Sequence, residues 1–181
     1  MAKVIVFSKQ SKGGGEMGAN AKAMAEGQIS DPENLLTFAK IVLYLANNTS
    51  TKLYRTKLHK LLFYVQFVYL KRYKEKLLMN DFECQKYGPV LPVLDEYLSL
   101  IEEVGLIKIV SDQHGSFVVP KKKFTETSYN KEMGTIKEVS SKFDTWTAGE
   151  ISEYSHRESL WKQTRLYHVI PASKAGELNE F

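Results

Sequence analysis

A chain of 181 residues with 43% hydrophobic content has room for one domain with a real core and little room for two. Its formal net charge of +4 falls well short of the dense Lys/Arg stripe that phosphate-backbone binding leaves in a sequence, so nucleic acid is permitted and not demanded. The single cysteine, Cys84, excludes an intramolecular disulfide and a zinc site built mainly of thiolates, and suits a reducing compartment.

At the start of the chain Val4–Phe7 is apolar for only four residues, too short for a signal-peptide core or a membrane span, and the protein is expected to be cytoplasmic. Residues 8–28 hold Gly13-Gly14-Gly15, Gly18 and Gly27 and almost no large apolar side chain. Residues 1–29 are therefore read as a flexible arm, from which Val4–Phe7 could at most add as an edge strand. The glycine triplet lacks the following Lys-Ser/Thr of a phosphate-cradling loop and reads as a linker.

The domain is expected over residues 30–181. Ser30-Asp31-Pro32-Glu33 signals a helix start, and Leu35, Phe38, Val42 and Leu45 recur at helical spacing until Asn47-Asn48-Thr49-Ser50. Leu58, Leu61, Leu62, Val65, Val68 and Tyr69 form the apolar stripe of a second helix with basic residues around its ends. Residues 82–87 alternate as a short strand, and Gly88-Pro89 is expected to break it. A third helix follows Pro92 and ends at Gly105, with Asp95, Glu96, Glu102 and Glu103 on its polar face. Residues 106–110 and 116–119 flank Asp112-Gln113-His114-Gly115 as a hairpin, and Lys121-Lys122-Lys123 follows. Helices are then expected from about Tyr129 to Phe143, from Ala148 to Tyr154 behind a Thr147/Glu150 capping box, and from Ser159 to Tyr167, with a terminal turn over 172–178.

The aromatic supply of ten Tyr, nine Phe and two Trp suits a protein interface as well as a core. Catalytic chemistry is sparse. The four histidines never take the paired helical spacing of a metal site. Cys84 with His156 could supply a nucleophile and base, but a strand cysteine is usually a small buried hydrophobe, and His156 is expected to hydrogen-bond backbone at a corner between two helices. Trp146 and Trp161 read as core anchors.

Three stretches together resemble one known family. Thr56-Lys57-Leu58-His59-Lys60-Leu61-Leu62-Phe63-Tyr64 resembles its "KL-x-KLLYY" helix, Tyr87-Gly88-Pro89-Val90 its "YGPV" corner, and Ser155-His156-Arg157-Glu158 with Leu160-Trp161 its "SH-x-E-x-x-W" element, in matching order and spacing. The family is the Panacea domain, also called the SocA-like or GepA phage-associated domain, and the resemblance runs from about Asp31 to Leu178. It implies an antitoxin of a bacterial toxin–antitoxin operon or prophage, which neutralises a cognate toxin encoded nearby by direct protein contact. In one type of member it implies an adaptor that hands the bound toxin to a cytoplasmic protease. The stretch before Ser30 does not match the domain.

The expected architecture is α+β, mainly α: a compact helical domain with a small antiparallel sheet or hairpin. The matched residues Leu58, Lys60, Leu61, Leu62, Tyr64, Gly88, Pro89, His156 and Trp161 are expected to be mostly architectural. Partner binding is expected on a basic face that includes Lys57, Arg72 and Lys74, and at Tyr87. No enzyme activity, metal or cofactor is expected. A DNA-binding winged helix is the alternative, suggested by the helix, helix, hairpin order and by Lys121–Lys123.

Overall fold

The computed structural model describes residues 31–125, 130–179 and 181. The expected arm over 1–29, the Val4–Phe7 strand, the cap at Ser30 and a helix start at Tyr129 lie outside the described residues.

Helix α1 (Pro32–Asn47) starts where Asp31 caps it, its carboxylate accepting from the backbone N–H of Glu33 at 3.0 Å, with Pro32 in the first turn. Strand β1 (Leu53–Tyr54) is two residues long and leads straight into α2 (Arg55–Tyr73). The expected single apolar stripe on α2 is corrected: from Lys57 to Leu70 every residue except His59 is buried. Helices α4 (Lys131–Lys142) and α5 (Ala148–Ser155), the strands and a closing 3-10 helix (Ala172–Glu177) pack around it, so this is a central helix enclosed on all sides, with Lys57, Lys60 and Gln66 among its buried residues. Buried Gln66 uses both ends of its amide there, Nε2 donating to Leu78 O and Oε1 accepting from the N–H groups of Leu77 and Leu78.

Strands β2 (Glu83–Gln85) and β3 (Gly88–Val90) form an antiparallel hairpin. Gly88-Pro89 therefore does not end the strand. The chain reverses one step earlier, at Lys86-Tyr87, and Pro89 sits opposite Cys84. Because bonded and non-bonded pairs alternate along an antiparallel ladder, and the two-residue turn closes on the Gln85–Gly88 pair, Pro89 falls where no N–H is needed. The acidic third helix is α3 (Leu94–Glu103). Strands β4 (Ile107–Asp112) and β5 (Gly115–Pro120) pair through a two-residue turn at Gln113-His114, tighter than the four-residue loop expected.

The main sheet has the order β1-β5-β4, all antiparallel, with Leu53 opposite Val118. Helix α6 (Ser159–Lys162) is one turn, where a helix to Tyr167 was expected. After a turn at Leu166-Tyr167 the chain instead pairs beside β2, with Val169 bridged to Glu83 and Ile170 N–H donating to Phe82 O at 2.7 Å. The α+β, mainly helical architecture with a small antiparallel sheet is as the sequence implied. The core runs from Phe38 on α1 through α2 to Leu178, with Tyr64, Phe143, Trp146, Tyr154 and Phe181 as a cluster of packed rings.

Candidate functional site

The three motif stretches meet around one glycine. Gly88 has φ +98, and a Cβ there would stand 2.6 Å from Lys60 Cε and 2.6 Å from Ser155 Oγ. One position thus requires glycine twice, for its backbone angle and for the space. Lys60, 1% exposed, comes from the second turn of α2 and donates from Nζ to Pro89 O at 3.0 Å. Burial pushes its ammonium down to about 8. Ser155, fully buried at the end of α5, donates to Ser152 O at 2.7 Å.

One turn along α2 from Lys60, the buried Tyr64 donates its hydroxyl to Glu158 Oε1 at 3.2 Å, and Glu158 Oε2 accepts from Asn179 N–H at 2.8 Å. A single buried carboxylate thereby joins α2, the corner after α5 and the end of the chain. Helix α5 itself begins with the capping box that the sequence implied, Thr147 and Glu150 bonding reciprocally. His59 accepts the N–H of Leu91 on Nδ1 at 3.1 Å, and burial beside Lys60 and Arg55 pushes its imidazole down to about 3. Leu58, Leu61 and Leu62 are buried in the core on the same helix.

Two expected roles change. Trp161 is half-buried at the rim, where Nε1 donates to Gln85 O at 3.1 Å; the buried anchor of that turn is its neighbour Leu160. His156 does not hydrogen-bond backbone through its ring. The imidazole stacks on Trp161 at 4.3 Å between centroids, and its buried Nε2 has no hydrogen-bond partner among the described residues. Burial and the nearby Lys60 lower its pKa. Cys84 is buried, with Sγ against the carbonyl oxygens of Thr164 and Trp161 at 3.3 and 3.6 Å, and burial pushes the thiol up. Its neighbours are therefore those of a packed side chain, not of an activated nucleophile.

The expected basic face is not assembled as one surface. Lys57 is 1% exposed and donates to Thr51 Oγ1 and to Asp144 O, both at 2.8 Å, so its head is enclosed and not offered to a partner. Arg72 forms a two-pronged ion pair with Glu138 on α4. Arg55 pairs with Asp95, and Lys52 with Asp112. Lys74 is exposed at the C-terminus of α2, in the left-handed region at φ 60, with Nζ donating to Lys71 O. Tyr87 is 67% exposed at the β2–β3 turn.

What the sequence reading missed is the surface beside Tyr87: Leu166, Tyr167 and Val169, which a continuing helix would have scattered. The β-branched run Val169-Ile170 before Pro171 was the available signal for extended chain. Among the described residues no group of three or more His, Cys, Asp or Glu is placed to hold a metal ion, and no helix is long and apolar enough to cross a membrane.

No curated protein and no solved structure matches the chain. The family model described as antitoxin SocA-like, Panacea domain, matches residues 58–162, more than half of the sequence and the span that holds α2, the β2–β3 corner and the α5–α6 corner. With its three motifs locked onto one another around Gly88, this chain belongs to the SocA-like Panacea domain family of antitoxins.

Proposed function

We propose that this protein neutralises a cognate toxin, encoded nearby, by stoichiometric protein–protein binding in the cytoplasm and without catalysis. The observation that carries the reading is how the motif chemistry is used. Lys60, Tyr64, Ser155 and Glu158 spend their polar groups within the fold, Lys60 on Pro89 O, Ser155 on Ser152 O, and Tyr64 and Asn179 N–H on Glu158, while Lys60 and Ser155 close on Gly88. They brace a turn whose tip, Tyr87, is turned outward. A fixed scaffold under an exposed aromatic supports recognition by shape, since tyrosine gives a large anchor at low entropic cost. Arg72 and Lys74 are the outward cations at the far end of α2 and suit electrostatic steering of a partner.

Co-expression with the product of the adjacent reading frame tests this. The toxin is expected to become harmless and to co-elute at a fixed ratio, whereas full protection by trace amounts would overturn neutralisation by binding. Protection that needs a host protease would favour the adaptor form of the same reading.

Promoter binding is a second reading, favoured by one observation: leaving aside the β2–β3 hairpin between α2 and α3, the order α1, β1, α2, α3, β4, β5 and the sheet order β1-β5-β4 are compatible with a winged helix. Against it, α3, the helix that would enter the groove, carries exposed Asp95, Glu96 and Glu103.

A further inference from the structure

Tyr167 occupies a backbone position that usually belongs to glycine. Its N–H donates to Cys84 O at 2.7 Å, while Cys84 N–H donates to His168 O at 2.9 Å, so two residues, Tyr167 and His168, oppose the one residue Cys84. Tyr167 has φ +65, in the left-handed region. This is the pattern of a β-bulge whose first residue is normally Gly, because a Cβ is disfavoured there. A bulky side chain at such a place persists when packing compensates or when the side chain has another use. Packing does not compensate here: Tyr167 is 68% exposed and its ring stacks on no other ring among the described residues.

The residues around it make a surface. Gln85 O accepts from the indole of Trp161, and two residues on, Tyr87 stands out at the turn. Val169 is bridged to Glu83, which puts both side chains on the outer face of the β2 ladder, and Leu166 is half-exposed beside them. The rim is mostly positive. Lys86 lies over the Tyr87 ring at 5.4 Å, and Lys162 and Arg165 are exposed without a carboxylate partner among the described residues. The acid on the face, Glu83, accepts from Gln85 Nε2 at 2.9 Å.

We propose that Tyr87, Leu166, Tyr167, Val169 and the edge of Trp161 are the docking surface for the toxin, and that the toxin presents an apolar side chain flanked by carboxylates, matching the Lys86, Lys162 and Arg165 rim. This rests on the binding reading given above and names its surface. Aromatic rings in a basic rim also suit single-stranded nucleic acid. Two aliphatic side chains and Glu83 on the same face favour a protein, because they offer bases neither stacking nor counter-charge.

The test pairs folding with binding in the full-length chain. Tyr167→Gly relieves the bulge, and Tyr167→Asn keeps a residue tolerant of the left-handed region. Both are expected to melt no lower than the wild type while binding the purified product of the adjacent reading frame about tenfold or more weakly, the scale of one lost anchor. Arg165→Glu is expected to slow association, and the wild-type rate is expected to fall with added salt. If Tyr167→Gly melts clearly lower, the ring is structural and the proposal is overturned. If the wild type binds and the variants bind equally well, the surface is wrong while neutralisation by binding stands. If the wild type does not bind, the binding reading fails and takes this surface with it. Binding of a dT20 oligonucleotide that is lost in both Tyr167 variants, without loss of protein binding, would reassign the patch to nucleic acid and overturn the proposal.

Discussion

Gly88 is a residue that the fold does not readily replace. A methyl group there would meet Lys60 Cε and Ser155 Oγ at distances no real Cβ tolerates, on a backbone that already favours glycine. Gly88→Ala is expected to destabilise the protein by about 3 kcal/mol, summing backbone strain and a forced shift of two buried side chains. Urea unfolding measures this, and a variant within about 0.5 kcal/mol of wild type, the usual effect of an unremarkable surface change, would mean the three motifs are not in mutual contact. Trp161 is a milder case. It packs against the core without being fully buried, so Trp161→Ala is expected to cost about 2 kcal/mol, less than the roughly 3–5 of a fully buried aromatic, through the lost His156 stack and Gln85 bond. Leu160→Ala, one residue away and 1% exposed, is expected to cost more than Trp161→Ala in the same assay.

At the scale of elements, α2 carries basic groups where helices normally carry leucine, and this sets a pH dependence. The imidazole of His59 is pushed down to about 3 in the fold, whereas in the unfolded chain it takes its proton near 6.5. Between those values the unfolded state holds a proton that the folded state refuses, so stability falls as pH falls through that window, by at most about 1.4 kcal/mol per pH unit. His156, also lowered by burial, adds in the same direction. Lys60 acts at the other end: with its ammonium down at about 8 against 10.5 unfolded, stability rises as pH rises between the two. The carboxylates Glu138, held down by Arg72, and Asp144, held down by hydrogen bonds from Ser50, lose their contribution only in stronger acid. Unfolding free energies at pH 7, 6 and 5 are thus expected to decline, with a flatter decline in His59→Gln. A wild-type curve flat over that range would contradict a His59 held neutral in the fold.

At the scale of the whole molecule, promoter binding would need a cationic face, yet the charge on α3 runs the wrong way for DNA. Exposed Asp95, Glu96 and Glu103 line α3, and of these three Asp95 is the one paired with a cation, Arg55, among the described residues. Binding to its own promoter at physiological salt is expected to be no tighter than about micromolar, the range of non-specific attraction. Sub-micromolar, sequence-specific binding would make the winged-helix reading primary. Reversing Arg72 and Lys74 to Glu tests the steering role. It is expected to slow partner association while costing about 1 kcal/mol or less in stability, since the Arg72–Glu138 pair is partly exposed and solvent-screened.

Much of this protein was legible in its sequence because the signals were local. Apolar spacing gave α1 and α3, Thr147 and Glu150 gave the start of α5, and the polar stretch at 112–115 gave the β4–β5 hairpin. The ordered motifs gave the family. What the tertiary structure decided was everything that depends on which neighbour arrives. Lys57 and Lys60 look like surface cations in one dimension, and only packing on every side of α2 turns them inward onto carbonyl and hydroxyl oxygens. β1 is two residues with no period to read, and it exists because β5 pairs with it. The short α6 follows the same rule. Helix periodicity extended it to Tyr167, but the free edge of β2 paired with the chain at 167–170, turning it at Tyr167, and that long-range pairing left Leu166, Tyr167, Val169 and Tyr87 exposed. Local propensity fixes which elements can form, whereas burial and strand pairing across more than eighty residues fix which way their side chains face.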